Sequence, residues 1–369
     1  MMLERVELVR VRLPLVRPFR TSFGTQTVKD ILLVHVETDA AEGWGEAAAH
    51  PEPYYNEEFV DASMLVIERF AVPALLSAPE LTAESVQSSL ARIKGYPAAK
   101  AGLEMAILDA ELSAGGVSLA DYLGGTRDNV DVGVSVGITQ SVGALVDLVS
   151  SYVDDGYRRV KLKIEPGFDV EPVAAVRAAF PDLALQVDAN AAYTLDDLDH
   201  VSLLDEFGLL MIEQPFAADD LGGHAILTRR LRTPICLDES VVSLRSAEQA
   251  LAAQACTVMN LKVGRLGGVL ACRALHNLCV ERGVPVWCGG MLESGVGRAA
   301  NVALASLPGF VYPADLSASD RYFHRDLTEP FVMTGSQLAV PRGPGLGVSV
   351  DQSALADLRA IRHDLEVNR

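Results

Sequence analysis

The sequence predicts an α/β protein built as a (β/α)8-type, TIM-like barrel with an α+β capping domain, and three observations predict it. Five short apolar runs between Arg158 and Gly264 each end on a charged residue: RRVKLKI at Lys163, LALQVDAN at Asp188, LLMIEQP at Glu213, TPICLDES at Asp238 and TVMNLKVG at Lys262. The steps between those charges are 25, 25, 25 and 24 residues, the length that one strand, one helix and two loops occupy in a βα unit. Finally, a chain of 369 residues exceeds the roughly 250 of a barrel alone by enough for one further domain.

Taken in order, residues 2–14 alternate charged and apolar side chains as an edge or meander strand does. A loop, RPFRTSFGTQT, separates them from a second strand in DILLVHVETD, and the turn DAAEG leads to a third around WGEAAA. Helices follow over Asn56–Val72, where Pro73 removes a backbone donor, over Ala83–Lys94 and over Ala98–Ser113, the last with apolar residues at helical spacing. From Val130 the pattern changes to repeated strand and helix, which divides the chain into a capping domain over 1–125 and a barrel over 126–318. VDVGVSVGI supplies the first barrel strand, the five charged runs the next five, and VPVWCGG and GFVYPADL the last two. Residues 319–369 are too rich in Gly and Pro for another βα unit, end in a helix expected over Gln352–Val367, and are expected to return to the capping domain.

The composition narrows the function. A formal charge of −18 with no local basic cluster opposes phosphate binding, so nucleic acid is not an expected partner. No apolar run is long enough to span a bilayer, and MMLERVELVRVRL lacks the apolar region of a signal peptide, so the expected compartment is the cytoplasm. The five cysteines are odd in number and form no CxxC pair, which reads as free thiols in a reducing compartment. Of the seven histidines none ends a barrel strand, and His276, inside ACRALHNLCVERG, reads as packing or solvation.

Strand ends of a barrel converge on one face, where such proteins keep their chemistry. One acid at a strand end is commonly a helix cap, but Asp188, Glu213 and Asp238 on three consecutive strands form a set. Without Cys or His among them they are hard oxygen ligands suited to Mg²⁺, with Mn²⁺ a substitute. Asn190 and Glu239 stand next to this set and are each open to two roles, helix cap or outer contact to the metal. A lysine inside a barrel mouth is costly unless paired. Lys161 and Lys163 point to one side of their strand, so Lys161 is expected to be a fixed positive charge that depresses its neighbour toward a free amine, the form a general base needs. Lys262 stands across the cluster. The chemistry that requires these parts is removal of a proton next to a carboxylate: the resulting enediolate carries two negative oxygens, a divalent cation stabilises them, and two lysines on opposite faces remove and return the proton.

The KxK at Lys161 and Lys163, DAN at Asp188, IEQP at Glu213, LDES at Asp238 and the lysine at 262 resemble the enolase superfamily, specifically its muconate lactonising subgroup, over essentially the whole chain. WGE, PAAKAGLEMAILDAE and GPGLGV resemble that superfamily's capping domain. Within the subgroup RPFRTSFGT, GYRRVKLKIEPGFDVEPV, PVWCGGMLESGVGRAANVALASLP and SASDRYF are similar to o-succinylbenzoate synthases of the kind that also racemise N-succinylamino acids. The resemblance implies that Asp188, Glu213 and Asp238 bind Mg²⁺ and that Lys163 and Lys262 are the acid/base pair, a lysine-plus-magnesium pattern general to the superfamily. It implies dehydration of a cyclohexadiene carboxylate on the menaquinone route, with N-acylamino acid racemisation as a second or main activity and muconate-type cycloisomerisation as the alternative. The substrate is a small carboxylate, and the chain is expected to be a homo-oligomer with no nucleic-acid or membrane partner. The His/Asp dyad of mandelate racemase-like members has no counterpart here. Where dipeptide epimerases carry an Asp-x-Asp motif this chain reads GGMLESG, and its Glu293 is a candidate to hold a water or orient the substrate. Val263 replaces an expected Pro, and LESG an expected LETG, which bears on substrate preference. The cap lies over the barrel mouth in this architecture, so Phe19, Phe23 and Tyr55 are expected to form an apolar lid for an aromatic or acylated tail.

Overall fold

Strand-forming alternation at the amino terminus produces an antiparallel sheet. In the computed structural model, which describes residues 1–78, 80–365 and 367, β1 (Leu3–Thr21), β2 (Gly24–Thr38) and β3 (Glu42–Ala47) pair as a meander. The helix Pro97–Gly115 packs on its inner face. That contact is a close approach of backbones: a Cβ at Gly45 would lie 2.0 Å from the Gly102 carbonyl oxygen, so the glycine of WGE is what lets helix and strand touch.

Two helices of the cap differ from expectation. The first begins at Val60, widens into a π turn over Ile67–Ala71 and continues as Val72–Leu76, with Pro73 in the first turn of that last piece. The wide turn accommodates the proline, which therefore does not stop the chain from coiling. The second is Ala83–Ser89, capped by Thr82, and is shorter than the 83–94 expected.

The barrel sheet contains seven parallel strands in sequence order: β5 (Val134–Val136), β6 (Arg159–Lys163), β7 (Ala184–Asp188), β8 (Ile212–Glu213), β9 (Ile235–Leu237), β10 (Val258–Leu261) and β11 (Val286–Cys288). Before them β4 (Asn129–Asp131) leaves this sheet and pairs with β12 (Gln337–Ala339), so VDVGVSVGI is two strands. The eighth segment is irregular. Phe310 bridges to Val286 of β11 and Ala314 to Val132, just before β5, so the curled sheet is closed by isolated bridges instead of a regular strand. Pro308 and Pro313 flank those bridges, and a proline cannot donate to a ladder. All five residues of β6 are buried, Arg159, Lys161 and Lys163 included; parallel strands are covered on both faces, so any charge on them needs a partner inside.

The tail corrects one expectation. Instead of one helix over 352–367, Asp351 caps a short helix at Gln352–Asp357, the chain turns through Arg359 at φ 54°, and β13 (Ile361–Leu365) runs antiparallel to β1 with Val6 opposite Leu365. Position 366 of the expected helix lies outside the described residues. The open edge of β1 offers unpaired backbone donors and acceptors that the end of the chain takes up. One apolar cluster joins Val9, Val11, Leu13, Ile31 and Leu33 of the cap to Leu237, Met259 and Leu261 of the barrel.

Candidate active site

The repeat of 25 residues becomes lateral alignment in the sheet, because Lys163 is in register with Asp188 and Asp188 with Glu213. Lys161 Nζ lies 3.1 Å from Asp188 Oδ2, 3.1 Å from Glu213 Oε2 and 3.0 Å from Asp315 Oδ2, and 4.9 Å from the centre of the Trp287 ring. Lys163 Nζ donates to Asp188 Oδ2 and Asn190 Oδ1, both at 2.6 Å. Four strands along the sheet, Lys262 Nζ donates to Asp238 Oδ2 at 2.6 Å and lies 3.3 Å from the Tyr55 hydroxyl. Arg265 pairs with the other oxygen of Asp238. Asn190 Nδ2 donates to Glu239 Oε1 at 2.9 Å, while Glu239 Oε2 is buried without a partner.

The lysines are not equivalent. Burial opposes the charge of each. For Lys161 the surrounding Asp315, Glu213 and Asp188 outweigh burial and raise it, which keeps it an ammonium. Lys262 is likewise raised against its burial, by Tyr55, Glu213, Glu239 and Asp188. Lys163 moves the other way: burial lowers it, the ammonium of Lys161 adds to the lowering, and Asp188 only partly compensates. The expected depression of Lys163 by its neighbour is thus present, though burial is its larger cause.

Asp188, Glu213 and Asp238 offer only oxygens, from three adjacent strands, and the buried, unpartnered Glu239 Oε2 stands in the same group. Among the described residues no three acidic side chains already stand at metal-ligand spacing, and a lysine Nζ lies against each of these acids. The donor set, all oxygen and all fully buried, fits a hard divalent cation by its chemistry.

Above this floor lies a cavity of about 370 Å³. Lys161, Lys163 and Lys262 line its base, and Phe23 and Tyr55 line its upper part with ring centres 6.0 Å apart. The loop carrying Phe23 is tied down by Arg20 to Glu165 at 2.7 Å and by Ser22 Oγ to the Ala189 carbonyl at 3.2 Å. Glu293 is not on the wall. Its carboxylate turns back to accept from Met291 N at 2.8 Å and Asn301 Nδ2 at 2.9 Å, beneath the GGMLESG loop.

Two residues of the site escaped the sequence reading. Asp315, at the end of the eighth segment, accepts from Ser135 Oγ at 2.9 and 2.7 Å and holds Lys161. Burial opposes its ionisation, yet Lys161 and Arg159 keep it below the usual carboxylate range. An acid closing the last apolar run was its only signal. Asn260 donates to Glu213 Oε1 at 2.6 Å, and its place two residues before Lys262 on one strand face would have found it.

The family "Mandelate racemase / muconate lactonizing enzyme, N-terminal domain" matches residues 4–124, and "Enolase C-terminal domain-like" matches residues 144–354. An N-succinylamino acid racemase from Amycolatopsis sp is 55% identical over 350 residues, 95% of each chain. The o-succinylbenzoate synthase of Geobacillus kaustophilus is 47% identical over 352 residues, 95% of this chain and 94% of that one. A solved enolase superfamily member from Listeria innocua superposes with a TM-score of 0.95 at 40% identity, covering 100% of both chains.

Proposed function

This chain belongs to the enolase superfamily, in its mandelate racemase / muconate lactonizing enzyme branch, and from that premise we propose that it is a Mg²⁺-dependent o-succinylbenzoate synthase that also racemises N-succinylamino acids. The observation that carries the proposal is the pair of buried lysines, Lys163 and Lys262, reaching the carboxylate cluster from strands with three others between them. The names of the relatives at 55% and 47% identity support the two activities.

Asp188, Glu213 and Asp238 would hold the cation, which supplies positive charge to the oxygens that become negative when the α-proton leaves. Lys163, whose amine is the more easily freed, takes that proton. In dehydration it then hands the proton to the departing hydroxyl, so that water is released and the ring becomes aromatic, while Lys262 stays an ammonium beside the anion. In racemisation Lys262 delivers a proton to the opposite face. Lys161, fixed by three acids, acts as a permanent charge and positions Asp188 and Glu213. Phe23 and Tyr55 cover the tail and exclude water from the base.

We place this chemistry in the cytoplasm and on the menaquinone route. Among the described residues no helix is long and apolar enough to cross a membrane. Turnover of the hydroxylated cyclohexadiene carboxylate and of an N-succinylamino acid, each with Mg²⁺ and with a chelator, tests the proposal. Mg²⁺-dependent conversion of both is expected. Turnover that survives chelation defeats the metal assignment, and inertness toward the cyclohexadiene defeats the synthase assignment, leaving racemisation as the main activity.

A further inference from the structure

One wall of the cavity is made by Gly290, Met291 and Leu292, and Leu292 sits at φ 58°. Leucine has no side-chain oxygen to favour that left-handed conformation, which persists only where surrounding contacts enforce it. The enforcing contacts come from both domains. Glu293 accepts from Met291 N, and Arg298 Nη2 donates to the Glu293 carbonyl at 3.0 Å. From the cap, Glu46 on β3 accepts from Ser294 Oγ at 2.6 Å, from Ser294 N at 3.1 Å and from Gly297 N at 3.1 Å, so it caps the helix Gly295–Ala305 that follows the wall.

The two acids meet at Gly297, where a Cβ would stand 2.9 Å from Glu293 Cβ and 3.0 Å from Glu46 Oε2. On β2 the side chain of Lys29 is fully buried, its Nζ has no hydrogen-bond partner, and the charges that act on it are Glu46, Glu293 and Asp30. Burial presses the lysine down while the acids raise it, and burial together with Glu293 pushes Glu46 up to about 7 while Lys29 lowers it, so the lysine and the acids favour one another's charged forms.

We propose that Lys29 and Glu46 are positioning residues which, with Glu293, form a post from cap to barrel that holds the strained Gly290–Ser294 wall in the shape that seats the substrate. The catalytic consequence rests on the function proposed above; the mechanical one does not.

The test is Lys29→Met, read by hydrogen exchange and by kinetics. Exchange of the Met291, Ser294 and Gly297 amides is expected to quicken about tenfold or more while the helix Pro97–Gly115 keeps its protection. KM is expected to rise about tenfold with kcat changed much less, and Lys29→Arg to restore both. Unchanged exchange over residues 286–298, or acceleration spread equally through the cap helix, overturns the post. Should Lys29→Met not fold, Lys29→Met/Glu46→Gln removes both charges together; a loosened wall in that variant supports the post, and native protection overturns it. Because exchange needs no substrate, an inert but locally loosened protein would count against the proposed reaction and not against the post.

Discussion

At Lys163 and Lys262 the same side chain meets two different fields, and the difference is testable. If each lysine serves one face of the substrate, as proposed, Lys163→Ala and Lys262→Ala should each abolish racemisation. In D₂O each variant should still exchange the α-proton of one enantiomer of an N-succinylamino acid, the two variants choosing opposite enantiomers. An NMR time course on separate L and D substrates reads this, and exchange of the same enantiomer by both would show that the lysines do not face each other. For the acids, Asp188→Asn, Glu213→Gln and Asp238→Asn should each cost about a hundredfold or more in kcat with the circular dichroism unchanged, and chelation should do the same reversibly. These residues were legible because each ends an apolar run at a fixed interval, a signal in the chain itself. Asp315 was not, because what makes it part of the site is the distance from its carboxylate to Lys161, and the sequence separates the two by most of the barrel.

Elements carry the next predictions. The loop between β1 and β2 puts Phe23 over the cavity, so Phe23→Ala should raise KM for an acylated or aromatic substrate several-fold more than for a small one; equal effects would assign the ring to packing. The helix Pro97–Gly115 buries Glu104, which accepts from Gln87 Nε2 at 3.0 Å and from Leu270 N at 3.0 Å and so ties the cap helix to the start of the barrel helix Val269–Glu281. Burial pushes this carboxyl from its ordinary 4.5 up to about 7. The native state therefore keeps a proton that the unfolded chain releases: the contribution is complete below 4.5 and is lost as pH rises through about 7, a change of roughly 3 kcal/mol. Urea unfolding across that window should show the decline in the native chain and a flatter profile in Glu104→Gln. An identical slope in both would assign the pH dependence elsewhere. Helix positions followed from periodicity, but their ends did not. The π turn before Pro73 and the early stop at Asp357 depend on what each end packs against.

For the whole molecule, the shared apolar cluster and the return of β13 to β1 should make the cap and barrel unfold as one cooperative unit. The chain has two tryptophans, Trp44 on β3 and Trp287 on β11, so Trp44→Phe and Trp287→Phe leave one reporter in each part. Their denaturation midpoints should coincide after correction for each variant's own stability, and a cap transition resolved from the barrel would overturn this. The sequence by itself determined the architecture, the five charged strand ends and the reaction class they suit. Those follow from the periods of strand, helix and βα unit, which are local properties that a chain must write into its own order. Only the tertiary structure decided that the barrel closes through isolated bridges, that the tail ends as a strand, that Lys161 is clamped by Asp315, and that Glu46 of the cap bonds Ser294 and Gly297 behind the cavity wall. Each of these is a meeting of residues far apart in the chain, and buried charge is governed by distance in space, which no spacing along the sequence records.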